Sequence, residues 1–360
     1  MTTDTSVPPL ANILTAGRLP GWSPWVLLGG SWAVTSAIVA IMDLSSGAAF
    51  NIALALFLGT ILFDILIFVI AYLVEGVRQA KDRLVTALVS SAFIIALLPL
   101  ISLLYTVVAN GLARFDLLFL TTSMRNVVDA GGGALHAIVG TLLITGMATL
   151  ISVPVGLLTA IYLVEYGRGP LARAITFFVD VMTGIPSIVA GLFAFAFFSL
   201  ILGNAGIRFG FGGSVALSLL MIPVVVRSSE EMLKLVPNEL REAAYALGVP
   251  KWLTIVRIVI PTSIAGITTG ITLAIARVIG ETAPLLIIAG FTSSMNYDLF
   301  NERMMTIPVF VYTQYANPGR NVDPYLDRAW AGALTLILIV MALNLIARLI
   351  ARIFSPKLGR

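Results

Sequence analysis

The stretch 241-REAAYALGVPKWLTIVRIVIP-261 concentrates charge in a chain that otherwise avoids it, and Arg227, Glu230, Glu231, Lys234 and Glu239 lie just before it. Pro237 and Asn238 suit a helix start, and Glu239 and Glu242 suit a first turn, where carboxylates meet the positive end of the helix dipole. Leu240, Ala243, Ala244 and Leu247 then fall at i, i+3, i+4 and i+7, a single apolar stripe. Gly248 offers the left-handed stop that ends many helices. Val249-Pro250 starts a second helix, and Pro261 is expected to end or bend it before the next apolar run. The stretch therefore predicts a short amphipathic helix, a corner, and a return toward apolar surroundings. The helix has two possible resting places, a lipid surface or a protein groove. Two of its four stripe residues are alanine, it has no large aromatics there, and its polar face is acidic. That composition is repelled by an anionic leaflet and favours a groove.

Outside this stretch the solvent is set by composition. Hydrophobic residues make up 59% of the chain, charged residues 11%, and the mean hydropathy is +1.01. A soluble domain carries about 25% charged residues, so the expected surroundings are a bilayer. Apolar runs long enough to cross occur at about 25–42, 50–74, 84–108, 138–164, 172–202, 214–226, 262–290 and 330–354. Irregular backbone does not face lipid, so these predict an all-α integral membrane protein of about eight helices. The fifth run contains Gly184-Ile185-Pro186, where its helix should break. Residues 1–24, polar with one basic residue, Arg18, lack the h-region of a signal peptide and read as a retained, disordered tail. The charged linker EGVRQAKDR separates the first two spans from the other six. It divides the chain into a tail plus accessory hairpin (1–83) and a six-helix domain (84–360).

Lysine and arginine set the orientation. With the N-terminus inside, fifteen basic residues fall in inner segments and six in outer ones, which favours both termini inside and places 241–261 on the cytoplasmic side. The net charge of +4 thus reports loop topology rather than nucleic-acid binding. There is no cysteine and one histidine, His136, which excludes disulfides and thiolate metal sites and argues against a histidine metal cluster.

Two charges sit in the seventh run, Arg277 and Glu281. A charge at mid-bilayer costs about 2.5–3.5 kcal/mol on insertion scales, so each needs a partner, water or a purpose. At i, i+4 they share a face, which also carries Gly270, Ala274, Gly280 and Pro284. Two readings stand: an ion pair that fixes helix register, or an anion path in which Arg277 draws the anion and Glu281 limits its dwell time. Gly266 and Gly270 predict close helix packing. Asp180, four residues before Gly184, is expected to partner Arg173 or Arg277. Asp64 lies mid-span in the hairpin without an assigned role. Gly131-Gly132-Gly133 reads as a tightly turning outer loop.

The motif Glu242-Ala243-Ala244, three residues, Gly248, nine residues, Ile258-Val259-Ile260-Pro261 resembles the EAA loop of ABC importer permeases, with Ile260 where leucine is usual. TGIPSIVAGLF (183–193), IPVVVRSSEEMLKLVPNELREAAYALGVPKW (222–252), GITTGITLAIARVIGETAPLL (266–286) and RAWAGAL (328–334) resemble the PstA branch of phosphate transport permeases, over roughly 84–360. The resemblance implies a six-helix type I importer core in a bacterial inner membrane. It implies ATPase coupling through Glu242, Ala243, Ala244, Gly248 and Pro261, and places Arg277 and Arg227 in the path of inorganic phosphate. The partners it implies are a PstC-like permease, a PstB-like ATPase dimer that uses the ATP and Mg, and a PstS-like binding protein. Arg227 alone reads equally well as an anchor reaching to headgroups.

No G-x-x-x-x-G-K-[ST] occurs, so no cofactor and no ATP hydrolysis are expected of this chain. An intramembrane enzyme would need an acid pair from Asp64 and Asp180, or His136 with a nucleophile, and neither sits in a motif. A membrane anchor or assembly factor is the third class. Within transporters, the alternatives are the sister permease PstC or a permease for sulfate or molybdate; the ETAPL run favours PstA.

Overall fold

The structure, a computed structural model, describes residues 17, 19–46 and 50–354. Arg18, the polar residues 1–16, Lys357 and Arg360 lie outside the described residues. The chain divides into two compact units, 1–104 and 105–360.

The first unit holds α1 (Ser23–Ser46), α2 (Ile52–Glu75) and most of α3 (Val77–Gly111). α3 runs 35 residues, about 50 Å, and so exceeds the ~30 Å hydrocarbon core. The unit boundary falls inside α3 rather than at the charged linker, because the first part of α3 packs with the hairpin. Phe63 and Ile67 bury against Ala87, and the Ser91 hydroxyl donates to Asp64 (3.3 Å), giving that mid-span acid a partner. Glu75 accepts from Arg83 Nη2 (2.7 Å) and from the Leu19 N–H (2.6 Å), which closes the charged end of the hairpin.

The second unit contains α4 (Leu117–Thr121), α5 (Leu135–Ile161), α6 (Pro170–Thr183), α7 (Ser187–Ile201), α8 (Gly210–Lys234), α9 (Asn238–Ala246), α10 (Lys251–Thr254), α11 (Ile260–Val278), α12 (Ala283–Ile288), α13 (Ile307–Ala316) and α14 (Asp323–Phe354). α8 is its centre. In α8's most apolar stretch 61% of residues are buried, against 22–28% in the other long spans of this unit. Small residues let its neighbours come close, which is how helices associate where lipid removes the hydrophobic drive. A Cβ on Gly270 of α11 would strike Ser228, and one on Gly266 would strike Met232, so the predicted close packing occurs and its partner is α8.

Seven helices among the described residues are long and apolar enough to cross a membrane, or eight if the α6–α7 pair is one span. That pair shows the expected break in the fifth span. α6 and α7 meet at 109°, and the turn falls at the predicted Gly184-Ile185-Pro186.

Pro261 neither ends nor breaks its helix. α10 continues into α11 through a π-turn at Ile255–Val259, where the Ile260 N–H reaches the Ile255 carbonyl. The widened turn makes room for the proline ring and absorbs its missing donor. The seventh span also ends early. α11 stops at Val278, residues 279–282 are non-helical, and α12 begins under Pro284.

Candidate functional site

α9 forms as its sequence predicts. It starts after Pro237, and Gly248 takes φ +77, with the Gly248 N–H donating to the Tyr245 carbonyl (2.9 Å) and the Val249 N–H to the Ala244 carbonyl (3.1 Å). The predicted stripe divides, however. Ala244 is buried at 4%, whereas Leu240, Glu242, Ala243 and Gly248 are exposed and Leu247 is 84% exposed. The helix therefore rests on its own chain through one alanine and presents two leucines and Glu242 outward.

Arg241, on the inward side, holds α9 in place. Its guanidinium donates to Glu165 (2.9 and 3.0 Å), to the Val236 carbonyl (2.6 Å), to the Leu233 carbonyl (3.0 Å) and to Asn238 Oδ1 (3.2 Å). The Arg241 and Glu165 side chains are only 12% and 5% exposed. Glu165 stands in a second π-turn, Tyr162–Tyr166, that ends α5. Lys251 adds a hydrogen bond to the Glu165 carbonyl and sits 4.7 Å from the Tyr166 ring centroid. Sequence reasoning missed Glu165, which lies 76 residues from Arg241 and in no motif.

Arg227 does not reach out to headgroups as a free anchor. It pairs with Asp180 of α6 and with Glu230 (2.8 Å), and Glu230 in turn takes Lys234 (2.7 Å). The partner of Asp180 is therefore Arg227, and neither Arg173 nor Arg277. The network ties the helix that precedes the 109° bend to the central helix.

Arg277 and Glu281 do not form the predicted i, i+4 pair. Glu281 lies beyond the end of α11, and among the described residues no ion pair joins it to Arg277. The buried line of α11 is Ser263, Ile267, Gly270, Ala274 and Val278. Arg277 is exposed beside that line, in the last turn, where free carbonyls favour a cation. Glu281 is half-buried next to Pro284, and Pro284 packs on Gly191 of α7. The structure thus separates two clusters, α9 with its strap and the α11–α12 break.

At the other end of the unit, Arg328 is 1% exposed and donates to Gln314 (2.8 Å) and to the Asp129 and Gly131 carbonyls (2.6 and 3.1 Å). Gly131 and Gly132 take φ +93 and +68, as a tight outer turn requires. His136 is buried at 2% with its ring 5.8 Å from Phe310.

Residues 152–360 match the family model described as "Binding-protein-dependent transport system inner membrane component", and the chain belongs to that family. The fold agrees: a solved bacterial alginate ABC transporter aligns at TM-score 0.55 and 15% identity, covering 78% of this chain and 97% of that one. The phosphate transport system permease protein PstA 1 of Mycobacterium tuberculosis (strain CDC 1551 / Oshkosh) is 49% identical over 276 residues, 76% of this chain and 89% of its own. PstA of Yersinia pestis is 39% identical over 274 residues, 76% and 90% of the two chains. At that level the chain is a member of the PstA permease family, an all-α, multi-pass inner-membrane component of a multi-subunit ABC importer.

Proposed function

We propose that this chain is the permease subunit of an ATP-driven phosphate importer, that it forms half of the translocation path, and that a separate ATPase drives it through α9. The observation that carries this reading is the division of labour on α9. Arg241 locks one side to the end of α5, and the other side holds Leu240, Ala243 and Leu247 in the open beside Glu242. An apolar ridge clamped from behind and uncovered in front is built to seat in another protein and to pass a displacement inward. Residues 84–360 supply the permease domain, residues 1–83 an accessory segment. Both termini face the cytoplasm with α9.

The partners are a PstC-like permease, a PstB-like ATPase dimer that binds ATP and Mg, and a PstS-like protein that captures inorganic phosphate. Arg277, exposed and unpaired at the end of α11, supplies the positive charge of the path. Glu281 lies one turn on, in the non-helical break, and moderates that charge. Arg227 contributes from the inner end, where Asp180 and Glu230 already share its charge and keep anion contact transient.

ATP-dependent uptake of labelled phosphate, sulfate and molybdate, in vesicles that hold the complete complex, tests the substrate. Phosphate should be strongly preferred; equal uptake of sulfate would overturn the assignment. Glu242→Lys tests the docking: co-purification of the ATPase should fall, and unchanged co-purification would reject α9 as the docking element.

A further inference from the structure

The loop before α8 and the loop between α12 and α13 enclose an open cleft of about 550 Å³, lined among others by Arg208, Phe291, Phe300, Glu302 and Arg303. α8 spans 25 residues, about 38 Å, so this cleft lies a membrane thickness away from α9. Its walls are tied together by backbone hydrogen bonds. The Phe209 N–H donates to the Ile288 carbonyl (2.9 Å), the Phe211 N–H to the Leu299 carbonyl (2.6 Å), and the Met304 N–H to the Ala289 carbonyl (3.1 Å). Asn296 Nδ2 fixes the Asn301 and Arg303 carbonyls (2.8 and 3.1 Å).

Two arginines from separate loops converge there. Gly290 takes φ +79, and a Cβ at that position would come within 3.0 Å of Arg208 Cδ and 3.2 Å of Arg303 Cγ. Both side-chain stems therefore cross the same piece of backbone. Both arginines line the same cleft with like charge, yet among the described residues neither guanidinium has an ion-pair or hydrogen-bond partner. Glu302 lines the cleft without pairing to either, which leaves a formal excess of one positive charge. The nearby Asp298 is occupied: hydrogen bonds from Asn301 Nδ2 (2.5 Å) and the Phe300 N–H (2.8 Å) hold its carboxyl below the usual range.

We propose that Arg208 and Arg303 form a second anion site, an outer station that holds hydrated inorganic phosphate before it reaches Arg277. This rests on the phosphate-permease reading above. Guanidiniums carry forked donors that suit a tetrahedral oxyanion, which ammonium groups do not match, and two of them on different loops line this one cleft. Openness to water and the Glu302 carboxylate keep the hold weak, as a relay site requires.

The permease–ATPase complex without its binding protein, in maltoside detergent, is treated with phenylglyoxal, and peptide mass spectrometry reads the modification rate at each arginine. Inorganic phosphate should slow modification of Arg208 and Arg303 several-fold relative to chloride at equal ionic strength, while exposed Arg125 reacts equally in both. Equal rates at Arg208 and Arg303 would overturn the proposal. Protection in phosphatidylglycerol nanodiscs without added phosphate, and none in detergent, would assign the cleft to lipid headgroups and also overturn it. Protection that appears only when the binding protein is added would make the cleft a docking surface and would likewise remove the anion station. In transport, Arg208→Gln/Arg303→Gln should raise the phosphate concentration for half-maximal uptake several-fold with assembly intact. The footprint needs no transport, so it should persist in an Arg277→Gln complex. Failure of the station and failure of the importer reading are thus told apart.

Discussion

Arg241 and Arg277 are both arginines of the second unit, and the fold treats them in opposite ways. Arg241 is nearly enclosed, and every direction its guanidinium points is met by a carboxylate, a carbonyl or an amide oxygen. Arg277 is exposed at a helix end, and the one acid placed to hold it falls outside the helix. An arginine whose donors are all used is part of the framework. One whose donors are left open in a membrane protein carries an insertion cost that its own chain does not offset. The contrast marks Arg241 as framework and leaves Arg277 with the open donors that the proposed path requires.

Arg277→Gln should break the contrast at its open end. Phosphate uptake should fall by at least two orders of magnitude while the complex still assembles, because on the proposed path Arg277 is the open positive charge that meets the anion. Wild-type uptake would remove Arg277 from the path. Glu165→Gln tests the framework end. Removing one partner of a buried, hydrogen-bonded ion pair costs about 3–5 kcal/mol, so the thermal transition should fall and ATPase co-purification with it. An unchanged transition would mean that α9 is held by packing alone. Gly270→Leu asks whether the α8–α11 contact is as tight as Ser228 makes it. Overpacking there should cost about 1–3 kcal/mol, read as a lower melting temperature, with no change if the helices can part.

The smallest effect is one of pH. The folded pKa of Asp298 lies below its ordinary 3.8, so its contribution to loop order is present above that value and is lost as pH falls through the lower folded one. Hydrogen exchange of the Phe300 amide should be insensitive to structure change from neutral pH down to about 4 and show loosening only below it. Loosening already at neutral pH would show that the carboxylate does not hold this loop.

Local signals are legible in the sequence where a single residue dictates backbone geometry. Pro237, Gly248 and the Gly184–Pro186 turn all act where the sequence puts them, and Gly266 and Gly270 mark a real close approach. The end of α11 is harder to read because 275–290 stays mostly apolar around Arg277 and Glu281, and hydropathy does not distinguish a long helix from a helix, a break and a short helix. Gly280 and Pro284 are the available signals, since glycine does not favour a helix interior and proline suits the first turn of a new helix. The partners of Arg227, Arg241 and Arg328 lie beyond reach for a different reason. Asp180, Glu165 and the Asp129 carbonyl are 47, 76 and 199 residues distant, and only the folded chain makes them neighbours.

The π-turn ahead of Pro261 has a mechanical consequence. A helix broken at proline would behave as two loosely linked rods and dissipate a push at the join. By widening one turn instead, residues 251–278 keep an uninterrupted shaft from the corner after Gly248 to the residue beside Val278. In the proposed coupling, a displacement at the corner would then reach the final turn, where Arg277 stands, without loss at a hinge.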